Sequence, residues 1–116
     1  MTKKKTMIDK KVVSLVKERA GGYCEKCGLP ATDSMALHHR KLRSRGGKDT
    51  PANLLVVHHS CHNLATDSIH LNPEKAENKG WMCPGWKDPE DHVYVTPEGS
   101  FALLDNEGNI KILGKA

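Results

Sequence analysis

Two pairs of metal-binding side chains constrain this chain most: Cys24-x-x-Cys27 and His58-x-x-Cys61, with thirty residues between them. Each pair can grip one side of a tetrahedral ion, and three thiolates with one imidazole suit zinc, which forms closed four-coordinate structural sites without redox chemistry. One such pair says little, whereas two at knuckle spacing say much. The ion would clamp the loop after a first helix to the start of a helix after a second strand. It would replace a core that the composition lacks: among 116 residues stand one Phe, two Tyr and two Trp, and a chain this short buries roughly 60 to 70% of its unfolded surface. The alternatives are buried free thiols, or Cys83 as fourth ligand, although Cys83 has no partner at knuckle spacing and precedes Pro84. His59 suits less well than His58, since it leaves one residue before Cys61. Two disulfides would need an oxidising compartment, and the lysine-rich start Met1 to Lys5 leads into no apolar export segment.

The length predicts a flexible basic arm over 1–8 and one domain over 9–116, with a motif core over 24–70 and a C-terminal extension over 71–116. No apolar run approaches the ~20 residues of a membrane span, so the chain reads as soluble and intracellular, with no membrane partner. Charge is lopsided: residues 1–48 hold thirteen Lys or Arg against four acids (+9), and residues 49–116 hold five against ten (−5). A basic half suits a polyanion such as nucleic acid, or simply a solvated face.

Apolar spacing predicts a helix over 10–20, capped by Asp9 and stopped by Gly21-Gly22. Strands follow over 35–41 and 54–57, antiparallel to each other, then a helix over 59–68 and another over 72–79 with Asn72 as N-cap and Pro73 at its first position. Short strands over 93–96, 101–104 and 109–113 complete the chain.

His38, His39, His58, His59 and His62 fall within 25 positions. On a helix starting near His59, Cys61 and His62 project about 100° apart, so one can face zinc while its neighbour faces the basic hairpin. Adjacent strand residues point to opposite faces, so His38 and His39 flank one centre only at a strand end or distortion. With that condition, His38 and His62 are candidate ligands of a divalent ion, and His39 a base for water. Arg40, Lys41, Arg43, Arg45 and Lys48 surround them with positive charge, which suits phosphodiester hydrolysis. His70 and His92 lie outside the cluster and receive no role. Trp81 and Trp86 can each stack on a base or fill the core, and core packing is the expectation for Trp81.

In this order, Cys24-x-x-Cys27, His38-His39, Gly46-Gly47, Asn53-Leu54 and Cys61-His62 resemble the HNH endonucleases, in their zinc-bearing branch, over residues 24–62. Gly80-Trp81, Asp88-Pro89 and the strand-like tail are similar to small bacteriophage HNH proteins. The resemblance implies an α+β fold: a zinc-stapled ββα-metal core with an N-terminal helix, a C-terminal helix and short strands. It implies His39 as general base and His38 and His62 as ligands of a catalytic Mg²⁺, Mn²⁺, Ni²⁺ or Zn²⁺. Asn53 would orient His39 and its loop, and structural Zn²⁺ would sit on Cys24, Cys27, His58 and Cys61. DNA would be held by Arg40, Lys41, Arg43, Arg45 and Lys48. The implied function is metal-dependent DNA nicking of low sequence specificity, leaving a 5′ phosphate and a 3′ hydroxyl. The implied setting is phage DNA processing or packaging beside terminase subunits, in the cytoplasm of a bacterium or phage-infected host. This chain departs from many relatives in having His58 where they have a third cysteine and His38 where they have Asp, and Thr66, one turn after His62, is a poor ligand. The competing expectation is a catalytically silent, zinc-stabilised module that binds nucleic acid or protein.

Overall fold

The computed structural model describes residues 8–116; the arm expected over 1–8 falls, through residue 7, outside the described residues. Asp9 caps the first helix by accepting from the Lys11 N–H at 2.8 Å, and α1 runs Lys10–Ala20 until Gly21 turns the chain at φ 62°. Lys17 and Arg19 occupy its last turn, where positive charge suits the helix dipole. Arg19 reaches further, donating to both carboxylate oxygens of Glu25 and to the Pro51 and Leu54 carbonyls.

Strands β1 (Ala36–His39) and β2 (Leu54–Val57) form an antiparallel hairpin in which His38 faces Leu55 and His39 faces Leu54. Every residue of β2 is buried, because Leu54 and Val56 pack with Val16 of α1 while Leu55 and Val57 join a second cluster that includes Ile69, Trp81, Tyr94 and Leu104. Two-sided burial explains an apolar run without alternation. The same alternation sends His38 toward the second cluster and His39 toward the face of Leu54. Between the strands lie two 3-10 turns, Arg43–Arg45 and Pro51–Asn53. Gly47 is required in this loop, since a Cβ there would stand 1.7 Å from the Lys41 carbonyl oxygen.

The helix expected over 59–68 is instead one π-helical turn, Ser60–Leu64, closed by the Ala65 N–H on the Ser60 carbonyl at 2.9 Å. It ends there because the Cys61 and His62 carbonyls accept from Ile69 and His70, at 2.8 and 3.0 Å, as the chain doubles back. Helix α2 (Pro73–Asn78) follows. Asn72 stands before it, but its side chain does not cap the helix and donates backward to the Thr66 and Ser68 carbonyls.

The extension ends in an antiparallel sheet of β3 (Tyr94–Val95), β4 (Ser100–Leu104) and β5 (Ile110–Lys115), in that order. Ala102 and Leu104 carry β4 into the core, as does buried Trp81, over whose ring Lys26 Nζ stands 4.8 Å from the centroid. Arg40 corrects an expectation: placed by sequence on the DNA-facing surface, it is 0% exposed. Its guanidinium donates to the carbonyls of Gly80 at 2.7 Å, Ala52 at 2.9 Å, Pro89 at 3.1 Å and His92 at 2.5 Å. Carbonyl dipoles from the hairpin loop and the extension thus satisfy it, and burial lowers it only to about 10, so it stays charged. No helix among the described residues is long and apolar enough to cross a membrane.

Candidate metal centres and active site

Cys24 and Cys27 share a tight turn closed by the Gly28 N–H on the Cys24 carbonyl at 2.9 Å, while His58 and Cys61 come from the end of β2 and the π-helical turn. The four ligand atoms lie within 4.8 Å of one another. Cys24 Sγ to Cys61 Sγ is 3.9 Å, Cys27 Sγ to His58 Nδ1 is 3.4 Å, and Cys61 Sγ to His58 Nδ1 is 3.9 Å. Ligands about 2.3 Å from a tetrahedral zinc stand roughly 3.8 Å apart, so the set fits that ion. His58 donates from Nε2 to the Pro30 carbonyl at 2.8 Å, which fixes its tautomer and leaves Nδ1 for the metal. Burial would raise the Cys24 thiol, but N–H donors from Cys27, His58 and Lys26 outweigh it and bring it down to about 7. Cys61 is pushed up to about 12 by burial and by the neighbouring Cys24 charge. A dication removes that repulsion by binding both as thiolates. His59 instead meets Ser34 Oγ at 3.0 Å, and Cys83 is a buried thiol near the Lys87 carbonyl, outside the cluster.

A second cluster joins His38 and His62 to a residue that sequence reasoning left without a role, His70; their ligand atoms also lie within 4.8 Å. His62 Nε2 and His70 Nε2 are 3.0 Å apart, and the ring centroids of His38 stand 5.1 and 5.2 Å from those of His62 and His70. His38 Nε2 bonds the Trp81 carbonyl at 2.6 Å, so that nitrogen carries the proton and Nδ1 keeps its lone pair. That Nδ1 is buried without a hydrogen-bond partner, a costly state that a metal ion relieves. Burial drives the His38 ring down to about 3, and the neighbouring rings of His62, His70 and His39 add to the shift. His62 is lowered for the same reasons, burial first and then the charge of His70. Neutral imidazoles with inward lone pairs are what a divalent ion needs.

His39 ends β1 on the other side, and its Nε2 lies 2.7 Å from Asp49 Oδ1. Arg43 holds the same carboxylate through Nη2, at 3.0 and 3.2 Å. Burial works against the Asp49 charge, but the bonds from His39 and Arg43 outweigh it and lower its pKa. Asp49 was not singled out from sequence; an acid inside a basic Gly-containing loop was its available signal. The buried Asn53 amide makes no hydrogen bond to the His39 ring. It accepts from the Lys41 N–H at 2.7 Å and donates to the Lys41 and Lys48 carbonyls at 3.0 and 2.9 Å, and so fixes the loop that presents Asp49. Lys41, Arg43, Arg45 and Lys48 remain outside the core, whereas Arg40 is inside it.

A thiol-imidazole knuckle stapling a β-hairpin to a histidine-bearing turn defines an α+β fold of the HNH type. Residues 24–68 match the HNH endonuclease family model. The match ends two residues before His70. Neither the curated proteins nor the solved structures yield a match.

Proposed function

We propose that the chain is a divalent-metal-dependent DNA endonuclease, and the observation that carries this reading is the buried, unpartnered Nδ1 of His38 beside His62 and His70. What a binding module has no need of is this atom's convergence with the rings of His62 and His70. A divalent ion held by these three histidines would neutralise charge on the scissile phosphate and on the leaving 3′ oxygen. His39, its Nε2–H held by Asp49, presents Nδ1 to take a proton from the attacking water, and Asp49 stabilises the resulting imidazolium. Asn53 keeps the loop in register through the Lys41 and Lys48 backbone. Lys41, Arg45 and Lys48 contact phosphates, with salt-sensitive affinity and little sequence information. The Cys24, Cys27, His58 and Cys61 set holds structural zinc. With one such centre among the described residues, a monomer nicks one strand at a time. On the sequence resemblance read in Gly80-Trp81 and Asp88-Pro89, the proposed setting is phage DNA processing beside terminase subunits, in the cytoplasm of an infected bacterium.

The test is supercoiled-plasmid cleavage by wild type and His39→Ala, with Mg²⁺, Mn²⁺, Ni²⁺ and Zn²⁺ supplied separately. Nicking by the wild type alone supports the reading and identifies the ion. Plasmid binding without cleavage under any of the four ions overturns it in favour of the zinc-stabilised binding module.

A further inference from the structure

Trp86 is the most exposed large hydrophobic side chain among the described residues, at 83%, yet the segment that carries it is firmly held. The Cys83 N–H donates to the Arg40 carbonyl at 2.7 Å, and the Lys87 N–H to the Pro84 carbonyl at 3.2 Å. A Cβ on Gly85 would lie 3.4 Å from Arg45 Cβ, so the segment rests against the 3-10 turn Arg43–Arg45. Asp88 caps the next turn by accepting from the Glu90 N–H at 3.0 Å. A fixed segment that leaves an indole in water gains nothing in core packing from it.

The indole lines a cleft of about 260 Å³ shared with Lys41, Lys48 and Lys87, and with the carboxylates of Asp88 and Glu90. The cleft adjoins the His39–Asp49 pair: Lys41 follows His39 by two residues, Lys48 immediately precedes Asp49, and the Asn53 amide ties the backbones of both lysines together. An aromatic face among ammonium groups matches a nucleobase and its flanking phosphates, and carboxylates accept from exocyclic amino groups. In a duplex both faces of each base are covered by stacking neighbours, so the indole can receive only a base that is out of the stack.

We infer that this cleft binds an unstacked nucleobase of a single-stranded or frayed substrate, with the base on Trp86 and adjacent phosphates on Lys41, Lys48 and Lys87. The inference rests on the nuclease reading for its place in the reaction, but its binding test is independent of cleavage. The chain has two tryptophans, of which Trp81 is buried; both emit, so quenching is assigned to Trp86 by its loss in Trp86→Ala, and affinities are read from the anisotropy of a labelled oligonucleotide. The zinc-loaded full chain, without a second metal, is titrated into a short fluorescein-labelled oligodeoxycytidylate, whose exocyclic amino groups the carboxylates can meet, and into the corresponding duplex. Expected are quenching that is larger with the single strand, and an affinity for it at least about fivefold weaker in Trp86→Ala, the lower end of what one stacked base contributes. Trp86→Phe recovers part of the loss, and its unchanged circular dichroism separates binding from folding. Equal single-strand affinity in wild type and Trp86→Ala, quenching no greater with single strand than with duplex, or no binding at all overturns the inference. Trp86-dependent binding by a protein that never nicks plasmid sustains the cleft and removes the nuclease reading. Nicking with Trp86-independent binding does the reverse.

Discussion

His39 Nε2 and Asp49 Oδ1 lie 2.7 Å apart, across a loop whose two ends are fastened by the single amide of Asn53. A carboxylate accepts from Nε2–H and so selects the tautomer whose Nδ1 is free to take a proton. Replacing Asp49→Asn removes the charge that stabilises the imidazolium. Plasmid nicking is expected to fall about 100-fold or more, within the range of general-base effects, with plasmid affinity unchanged. Arg43→Ala, which leaves the His39 bond in place, is expected to cost less than about tenfold. Equal losses in the two variants would mean that Asp49 acts through loop order alone.

His70 is expected to be the third ligand of the catalytic ion. In His70→Ala the concentration of divalent ion giving half-maximal nicking should rise at least about tenfold, since even partners outside the coordination sphere shift metal affinity by roughly 10 to 100-fold. Isothermal titration with the activating ion measures the same change without DNA. An unchanged titration makes His70 a bystander to a two-histidine site.

Much of the fold was legible because local chemistry and tertiary demand agree. Asp9 and Gly21 bound α1 where capping and left-handed geometry require, and the unbroken apolar run Leu54 to Val57 is β2. The failures share one physical source, chain segments distant in sequence. The expected helix over 59–68 stops after one π-helical turn because Ile69 and His70 take the carbonyls of Cys61 and His62, and that reversal is what carries His70 to His62. Arg40 reads as one basic residue among five in sequence, and only four carbonyls from three separate segments reveal it as buried. Asp49 stands out in sequence only as an acid in a basic loop, and its pairing with His39, at the far end of that loop, is what the fold adds.

Zinc at the knuckle is expected to be a condition of folding. Cys61→Ser should release the ion and melt the domain at temperatures where wild type is folded, read by circular dichroism and metal content. His58→Cys should keep both, because four thiolates also close a tetrahedral zinc site. A folded, zinc-free Cys61→Ser protein would show that the apolar clusters suffice without the staple.

Burial of neutral His38 sets a pH dependence. Its ring falls from an ordinary 6.5 to about 3, so the unfolded chain binds a proton that the folded chain refuses. A group depressed in this way contributes stability that is present above pH 6.5 and lost as the pH falls toward 3. His62 and His92 are lowered in the same direction and add to the slope. Denaturant unfolding between pH 6 and pH 5, without added second metal, should show stability falling with acid. In His38→Gln the slope should be shallower by about 1 kcal/mol per pH unit. An unchanged slope would place the proton uptake on other groups.

Arg40 and Lys48 are both basic residues of the hairpin region, and the structure separates their effects. Removing the Arg40 side chain takes the guanidinium donor from the carbonyls of Gly80, Ala52 and His92, while Pro89 keeps the His92 N–H, and each stranded buried acceptor has a desolvation cost. Arg40→Met is therefore expected to destabilise the domain by about 3 to 5 kcal/mol, the range for breaking a buried charge network, and to loosen the extension from the hairpin. Its remaining folded fraction should bind duplex DNA with the wild-type dependence on salt, because a guanidinium with no exposed surface releases no counterions. Lys48→Ala should leave the unfolding midpoint nearly unchanged and lower the slope of log affinity against log salt by about 0.9, one phosphate contact. Chemical denaturation paired with DNA binding at several salt concentrations reads both quantities. A lowered salt slope in Arg40→Met, at wild-type stability, would return Arg40 to the DNA-facing surface.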